Sequence, residues 1–268
     1  RAGGGVPLGL PAPGETALLL DLDGTLLDIA PTPDEVQVPP DLLDTLQRLR
    51  NHLGGALAVV TGRPIEQIDT LLGGVPYAVA GEHGGVIRHA PGAPVVRASL
   101  PDPPVEWIIQ AARLVEAHPG ALLEQKQRGF VFHYRAAPEL GPALRDAALA
   151  LIAPQAGRFG LMEASMAWEV RPRGVDKGSA VADLMTDAPF AGRRPVFIGD
   201  DVTDEDGMHA ARGLQGVGLR VQDAFGTPAG VREWLARSAD ALDAGTAGWP
   251  DAPRWISPDS RTGAVGQV

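Results

Sequence analysis

Short apolar runs that stop abruptly at polar residues recur along the chain: ALLL ends at Asp21, ALAVV at Thr61, YAVA at Gly81 and VFI at Gly199. Runs this short, closed by turn signals, suit strands buried on both faces of a parallel sheet. The stretches between them read as helices. Residues 40–53 place Leu42, Leu43, Leu46, Leu49 and Leu53 at helical spacing, with Gly54 and Gly55 as the stop. Residues 64–72 open on Pro64 and end at Gly73. Strand then helix, repeated, predicts a doubly wound α/β layer fold.

From about residue 101 the rhythm changes. A helical stretch over 104–117 is followed by ALLEQKQ and GFVFHYR, which read as a hairpin around Gln127–Gly129. A second helix over 138–152 precedes RFGLMEA and MAWEVRP, again strand-like. This αββαββ order predicts a small α+β cap domain, residues 101–172, inserted into a Rossmann-like parallel-sheet core made of residues 1–100 and 173–268. After Pro172 the first rhythm returns with KGSAVADLM, PVFIG, DEDGMHAAR and GVGLRV, and Thr227-Pro228 caps a last helix over 228–236. The tail from about residue 246 has no periodicity and is assigned no structure.

Composition narrows the class. The 268 residues carry 23 Lys and Arg against 33 Asp and Glu, a net charge of −10, which argues against a nucleic-acid partner that needs a basic surface. The absence of cysteine excludes a disulfide scaffold, a thiolate nucleophile and Cys-ligated metal. The opening segment RAGGGVPLGLPAPGE is broken by Gly and Pro before any apolar run reaches helix length. No membrane partner and a cytoplasmic location are therefore expected.

The strand ends carry the candidate chemistry. In a strand, residues two apart point the same way, so Asp21 and Asp23 project together while Leu22 faces the other side. Ligands of open α/β sheets bind beyond the carboxyl ends of strands, which is where this pair falls. Gly24 permits close backbone approach, and Thr25 supplies a hydroxyl. Thr61 and Gly62 can offer a hydroxyl and an N–H to phosphate oxygens at the start of a helix. Lys177 opens a helix against the dipole, a misplacement that a functional partner would explain. GDDVTDED packs five carboxylates into eight residues, which repel one another unless a cation such as Mg²⁺ offsets them. Each feature also has a plainer reading: a turn for DxD, a helix cap for TGR, a solvated lysine, a solvated acidic loop.

Together DLDGT, the Thr after the second strand, Lys177 and GDxxxD resemble the haloacid dehalogenase-type phosphatase superfamily. That resemblance implies Asp21 as the nucleophile of an aspartyl-phosphate intermediate and Asp23 as general acid and base. It implies Mg²⁺ held by Asp21, Asp200 and the backbone carbonyl of Asp23, with Asp204 either a further ligand or a support behind the ligands. Gly24, Thr25, Thr61, Gly62 and Lys177 would hold the phosphoryl group.

In the inserted segment, Phe130, Phe132 and Tyr134 fall on one face with His133 and Arg135 on the other. Likewise Met166, Trp168 and Val170 oppose Glu169 and Arg171, and Glu124 and Lys126 share a face. The aromatic face reads as core against the two helices. The polar face suits either solvent or a phosphate-bearing polyol, whose hydroxyls need fixed donors and acceptors. At this level the chain resembles the trehalose-6-phosphate phosphatase family from about residue 17 to 237, on DLDGTL, TGRP, GEHGG, EQK with HYR, EVRP with DKG, and GDDVTDED. The resemblance implies a phosphoric monoester hydrolase of trehalose biosynthesis. Glu124, Lys126, His133, Arg135 and Glu169 on the cap and Glu82 and His83 on the core would contact the sugar phosphate. One departure stands out. Family members often carry a Lys in the turn before EVRP, where this chain has Ser165, which implies a weaker grip on the sugar.

Two enzyme alternatives keep the chemistry and change the substrate, to sucrose 6-phosphate or mannosyl-phosphoglycerate; GEHG and EVRP disfavour them. Two non-enzymatic readings are a receiver-like phosphorelay domain, disfavoured by DxDGT spacing and the long insert, and a regulatory sugar-phosphate binder, disfavoured by the presence of both Asp21 and Asp23. The oligomeric state is left open, and a monomer satisfies the sequence.

Overall fold

A computed structural model describes residues 9–251. The apolar runs form strands with every residue buried: β1 (Thr16–Leu20), β2 (Leu57–Val60) and β3 (Ala78–Gly81). Between them lie α1 (Leu42–His52), which buries Leu42, Leu46 and Leu49, and α2 (Ile65–Leu72), which stops at Gly73 with φ +59°. Two short strands follow, β4 (Val86–Arg88) and β5 (Val96–Arg97). Neither is foreshadowed by an apolar run, because β5 has two residues and both are exposed.

The middle of the chain is α3 (Val105–Glu116), β6 (Leu122–Lys126), β7 (Gly129–His133), α4 (Gly141–Ile152), β8 (Phe159–Ala164) and β9 (Ala167–Pro172). The core rhythm then returns as α5 (Lys177–Leu184), β10 (Arg194–Gly199), α6 (Asp204–Gly213), β11 (Val217–Arg220), the single turn α7 (Val221–Ala224) and α8 (Pro228–Asp243). Thr227 caps α8 by accepting the Gly230 N–H at 3.2 Å. This last helix outruns its expected end by seven residues, since Ser238 and Ala239 prolong the buried stripe of Trp234 and Leu235 with small side chains that a hydropathy pattern underweights.

Two compact units result. One runs to Arg97 and resumes over Lys177–Asp200 and from Asp204; the other is Ala98–Asp176 with Asp201–Thr203. In the first, the sheet order is β11-β10-β1-β2-β3-β4-β5, with β11 through β3 parallel and β4 and β5 antiparallel. Strands advance from β1 to β3 on one side and from β10 to β11 on the other. The winding therefore reverses between β1 and β10, and right-handed crossovers put the two sets of helices on opposite faces. The crevice at such a reversal, beyond the carboxyl ends of the strands, is where α/β sheets bind ligands.

In the second unit the antiparallel sheet runs β6-β7-β9-β8, with Phe130 opposite Val170 and Phe132 opposite Trp168. Phe130, Phe132, Phe159 and Val170 pack with Trp107 of α3 and with Leu144, Ala148 and Ile152 of α4. Met166 does not join this face: it lies in the turn between β8 and β9 with φ +52°. Among the described residues no helix is long and apolar enough to cross a membrane.

Candidate active site

The chain leaves β1 at Asp21, whose N–H donates to the Ile198 carbonyl of β10 at 3.0 Å and so extends the ladder by one residue. The next six residues close on themselves. The N–H groups of Thr25, Leu26 and Leu27 all reach the Leu22 carbonyl, and the Gly24 N–H donates to the Leu27 carbonyl at 2.7 Å. Gly24 sits at φ +79°, and a Cβ there would lie 2.1 Å from Asp200 Oδ2. A side chain at this position would therefore expel the Asp200 carboxylate as well as strain the turn.

Asp200 follows β10, the neighbour of β1, and its N–H donates to Asp204 Oδ2 at 3.0 Å at the start of α6. The Thr25 hydroxyl lies 3.1 Å from Asp21 Oδ2 and 3.2 Å from Asp200 Oδ1. Lys177, the first residue of α5, places its Nζ 3.0 Å from Asp21 Oδ1 and 2.7 Å from Asp204 Oδ1. These two bonds account for a cation at a helix N-terminus. Asp21, Lys177 and Asp204 are 4%, 3% and 0% exposed, so water does little to screen them.

One carboxylate oxygen each from Asp21, Asp200 and Asp204 lie within 4.8 Å of one another. Burial pushes the Asp21 carboxyl from its usual 3.8 up to about 7; Lys177 pulls it down, and Asp200 pushes it up further. For Lys177, burial favours loss of the proton, but Asp21 and Asp204 outweigh it and hold the ammonium well above its ordinary value. One buried lysine thus pairs with two of these three carboxylates. A proton or a further cation relieves the repulsion among them, and an all-oxygen donor set suits a hard divalent ion. The three residues fit a divalent metal ion on this chemistry.

The Asp23 carboxylate is engaged elsewhere. Its Oδ2 and Oδ1 accept from Arg63 Nε at 2.6 Å and Nη2 at 2.8 Å, while Asp23 bridges to Leu27 through its backbone. Thr61 follows β2, which is in register with β1 through Leu20 and Val59, and its buried hydroxyl accepts the Arg63 N–H at 3.1 Å. The Thr61 and Arg63 carbonyls accept the N–H groups of His83 and Glu82, each at 3.0 Å. Glu82 and His83 both adopt left-handed backbone, φ +49° and +56°, a strain of about 1–3 kcal/mol each. A Cβ on Gly62 would stand 2.5 Å from His83 Nε2, so only glycine lets the imidazole pack there. Glu82 pairs with Arg97 at 3.0 Å.

Within the second unit, Glu124 pairs with Lys126 at 3.1 Å and lies 3.7 Å from His133 Nε2. The His133 bond holds the Glu124 carboxyl below its usual range; partial burial opposes this and Lys126 assists it. Arg135 donates to Ser165 Oγ at 3.2 Å, so a guanidinium reaches the turn that lacks a lysine of its own. Glu169 is cross-strand from Val131 and Met162 and is 7% exposed, which removes it from a solvated surface.

The structure thus gathers Asp21, Gly24, Thr25, Lys177, Asp200 and Asp204 in one cluster, with Asp23, Thr61, Gly62, Glu82 and His83 in a bonded network in the same unit. Arg63 was not singled out from the sequence. Its signal was its place directly after Thr61-Gly62, but its partner is 40 residues away and no local pattern marks the pair.

The chain matches a family model described as Trehalose-phosphatase over residues 19–231. It is 37% identical over 243 residues to the "Trehalose-6-phosphate phosphatase" of Escherichia coli (strain K12), covering 90% of this chain and 85% of that protein. It is 38% identical over 231 residues to the "Probable trehalose-phosphate phosphatase" of Sinorhizobium fredii, 84% of each chain. Among solved structures, the C-terminal domain of the C. albicans trehalose-6-phosphate phosphatase gives a TM-score of 0.69 over 85% of this chain and 93% of that one; at 20% identity this likeness concerns the fold alone.

Proposed function

The chain belongs to the trehalose-phosphatase family, of the haloacid dehalogenase superfamily, and from that premise we propose that this phosphoric monoester hydrolase releases phosphate from trehalose 6-phosphate through an aspartyl-phosphate on Asp21. The observation that carries the mechanism is the Lys177 ammonium bonded to both Asp21 and Asp204 beside Asp200. The carboxylate read as nucleophile stands beside one neutralising ammonium and two further carboxylates at the sheet's point of reversal.

In the first step an Asp21 oxygen bonds to phosphorus while the bond from phosphorus to the sugar oxygen breaks, and that oxygen takes a proton from Asp23. In the second, water bonds to phosphorus, its proton returns to Asp23, and the Asp21–phosphorus bond breaks to free phosphate. Lys177 orients Asp21 and, with Thr61 and Gly62, would hold phosphoryl oxygens. Asp21, Asp200 and Asp204, with the Asp23 carbonyl, would hold Mg²⁺. When bound, the ion offsets the negative charge of the carboxylates and phosphoryl oxygens. In the second unit the polar residues Glu124, Lys126, His133, Arg135 and Glu169 would supply donors and acceptors for a disaccharide. A cytoplasmic setting accords with a soluble sugar-phosphate substrate.

The test is phosphate release from trehalose 6-phosphate, sucrose 6-phosphate and glucose 6-phosphate, with Mg²⁺ and with EDTA. Turnover that is fastest on trehalose 6-phosphate and lost in EDTA is expected. Equal rates on all three, or full activity in EDTA, would refute the reading.

A further inference from the structure

Two devices fix Asp23. Its backbone is held by the closed loop from Leu22 to Leu27, and its carboxylate by the two parallel bonds from Arg63 at 2.6 and 2.8 Å. A bidentate guanidinium sets the plane of a carboxylate as well as its position. Arg63 is itself pinned: Nη2 also donates to the Pro33 carbonyl at 3.1 Å and Nη1 to Gln67 Oε1 at 3.1 Å. Its backbone N–H rests on Thr61 Oγ1, and its carbonyl receives Glu82. The Arg63 side chain is 11% exposed and that of Asp23 34%, so the guanidinium is shielded from solvent while the carboxylate stays open to it on one side.

From this geometry we propose that Arg63 is the positioning residue for Asp23: it fixes the aim of the carboxyl that passes a proton to the departing sugar oxygen and later takes one from water. The inference rests on the reading of Asp23 as acid and base. A general acid contributes only when its proton lies within hydrogen-bond reach of the leaving atom, so its aim is part of its rate. When Asp23 carries the proton on one oxygen, the other still accepts from the guanidinium. Arg63 then acts as a pivot through both steps. It contacts neither phosphorus nor the leaving oxygen in this role.

Leaving groups separate positioning from a merely structural part. A sugar alkoxide needs a proton to depart; 4-nitrophenolate does not. The full-length protein with Mg²⁺ is mixed with trehalose 6-phosphate or 4-nitrophenyl phosphate under single-turnover conditions and quenched on the millisecond scale. Arg63→Ala is expected to slow phosphoryl transfer from the sugar ester about 10–100-fold, and from the nitrophenyl ester no more than about threefold. Arg63→Lys, which cannot span both oxygens, falls between wild type and Arg63→Ala on the sugar ester alone. In an Asp23→Asn background, Arg63→Ala has no further effect on the sugar ester, because both changes remove the same function. The nitrophenyl rate doubles as the control for folding. Equal slowing of both esters by both Arg63 variants, or multiplying effects in the double variant, would overturn the proposal. Wild-type transfer from the sugar ester in Asp23→Asn alone would instead overturn the parent reading.

Discussion

Replacing Asp21 by Asn should make the metal-free protein more stable while abolishing turnover. Asp21 is 4% exposed, and burial, with Asp200 alongside, lifts its carboxyl from 3.8 to about 7 against the pull of Lys177. A folded-state value above the unfolded one means that the folded protein binds the extra proton between those limits. The favourable contribution is whole below about pH 4 and lost as pH rises through 7. A shift of about three units at about 1.4 kcal/mol each sets an upper bound of about 4 kcal/mol on the cost of an ionised Asp21 above pH 7. Asparagine mimics the protonated side chain and avoids that cost. In a protein of this size 1 kcal/mol moves Tm by about 2–4 °C, so the bound corresponds to about 8–16 °C. Thermal unfolding in EDTA at pH 5 and pH 8 measures it. Asp21→Asn should raise Tm clearly at pH 8 and less at pH 5, and millimolar Mg²⁺ should narrow the gap by stabilising the wild type. A variant less stable than wild type at pH 8 in EDTA would refute the reasoning, since it would mean that the Lys177 pair outweighs burial.

Two further outcomes follow from the geometry. Gly24→Ala puts a Cβ 2.1 Å from Asp200 Oδ2 at a φ of +79°; calorimetric titration should show Mg²⁺ affinity falling at least about tenfold, and unchanged affinity would detach Gly24 from the carboxylate cluster. Glu124→Gln removes a charged acceptor bonded to Lys126 and beside His133; KM for trehalose 6-phosphate should rise about 10–100-fold with kcat within about threefold, and an unaltered KM would take Glu124 out of sugar binding.

The central parallel strands were legible because β1 and β10 are buried on both faces and give way to a residue that cannot be buried alone, Leu20 to Asp21 and Gly199 to Asp200. The sheet of the second unit was legible from alternation, and Phe130 pairs with Val170 and Phe132 with Trp168 across it. Met166 escaped that pattern because the turn before Ala167 takes it out of register, a shift that hydropathy does not encode. β4 and β5 escaped because strands of three and two residues carry too little periodicity. At the site, Lys177 could be suspected from its conflict with the helix dipole, whereas Arg63 could not, because the Asp23 pair exists only once β1 and β2 lie side by side.

The most direct measurement is to quench a single turnover of trehalose 6-phosphate with acid, digest the protein and locate the phosphoryl group by mass spectrometry. It should appear on the peptide containing Asp21, rise and decay within one turnover, and be absent from Asp21→Asn. Phosphate release with no phosphorylated peptide at any time, or with the group on another residue, would contradict the account.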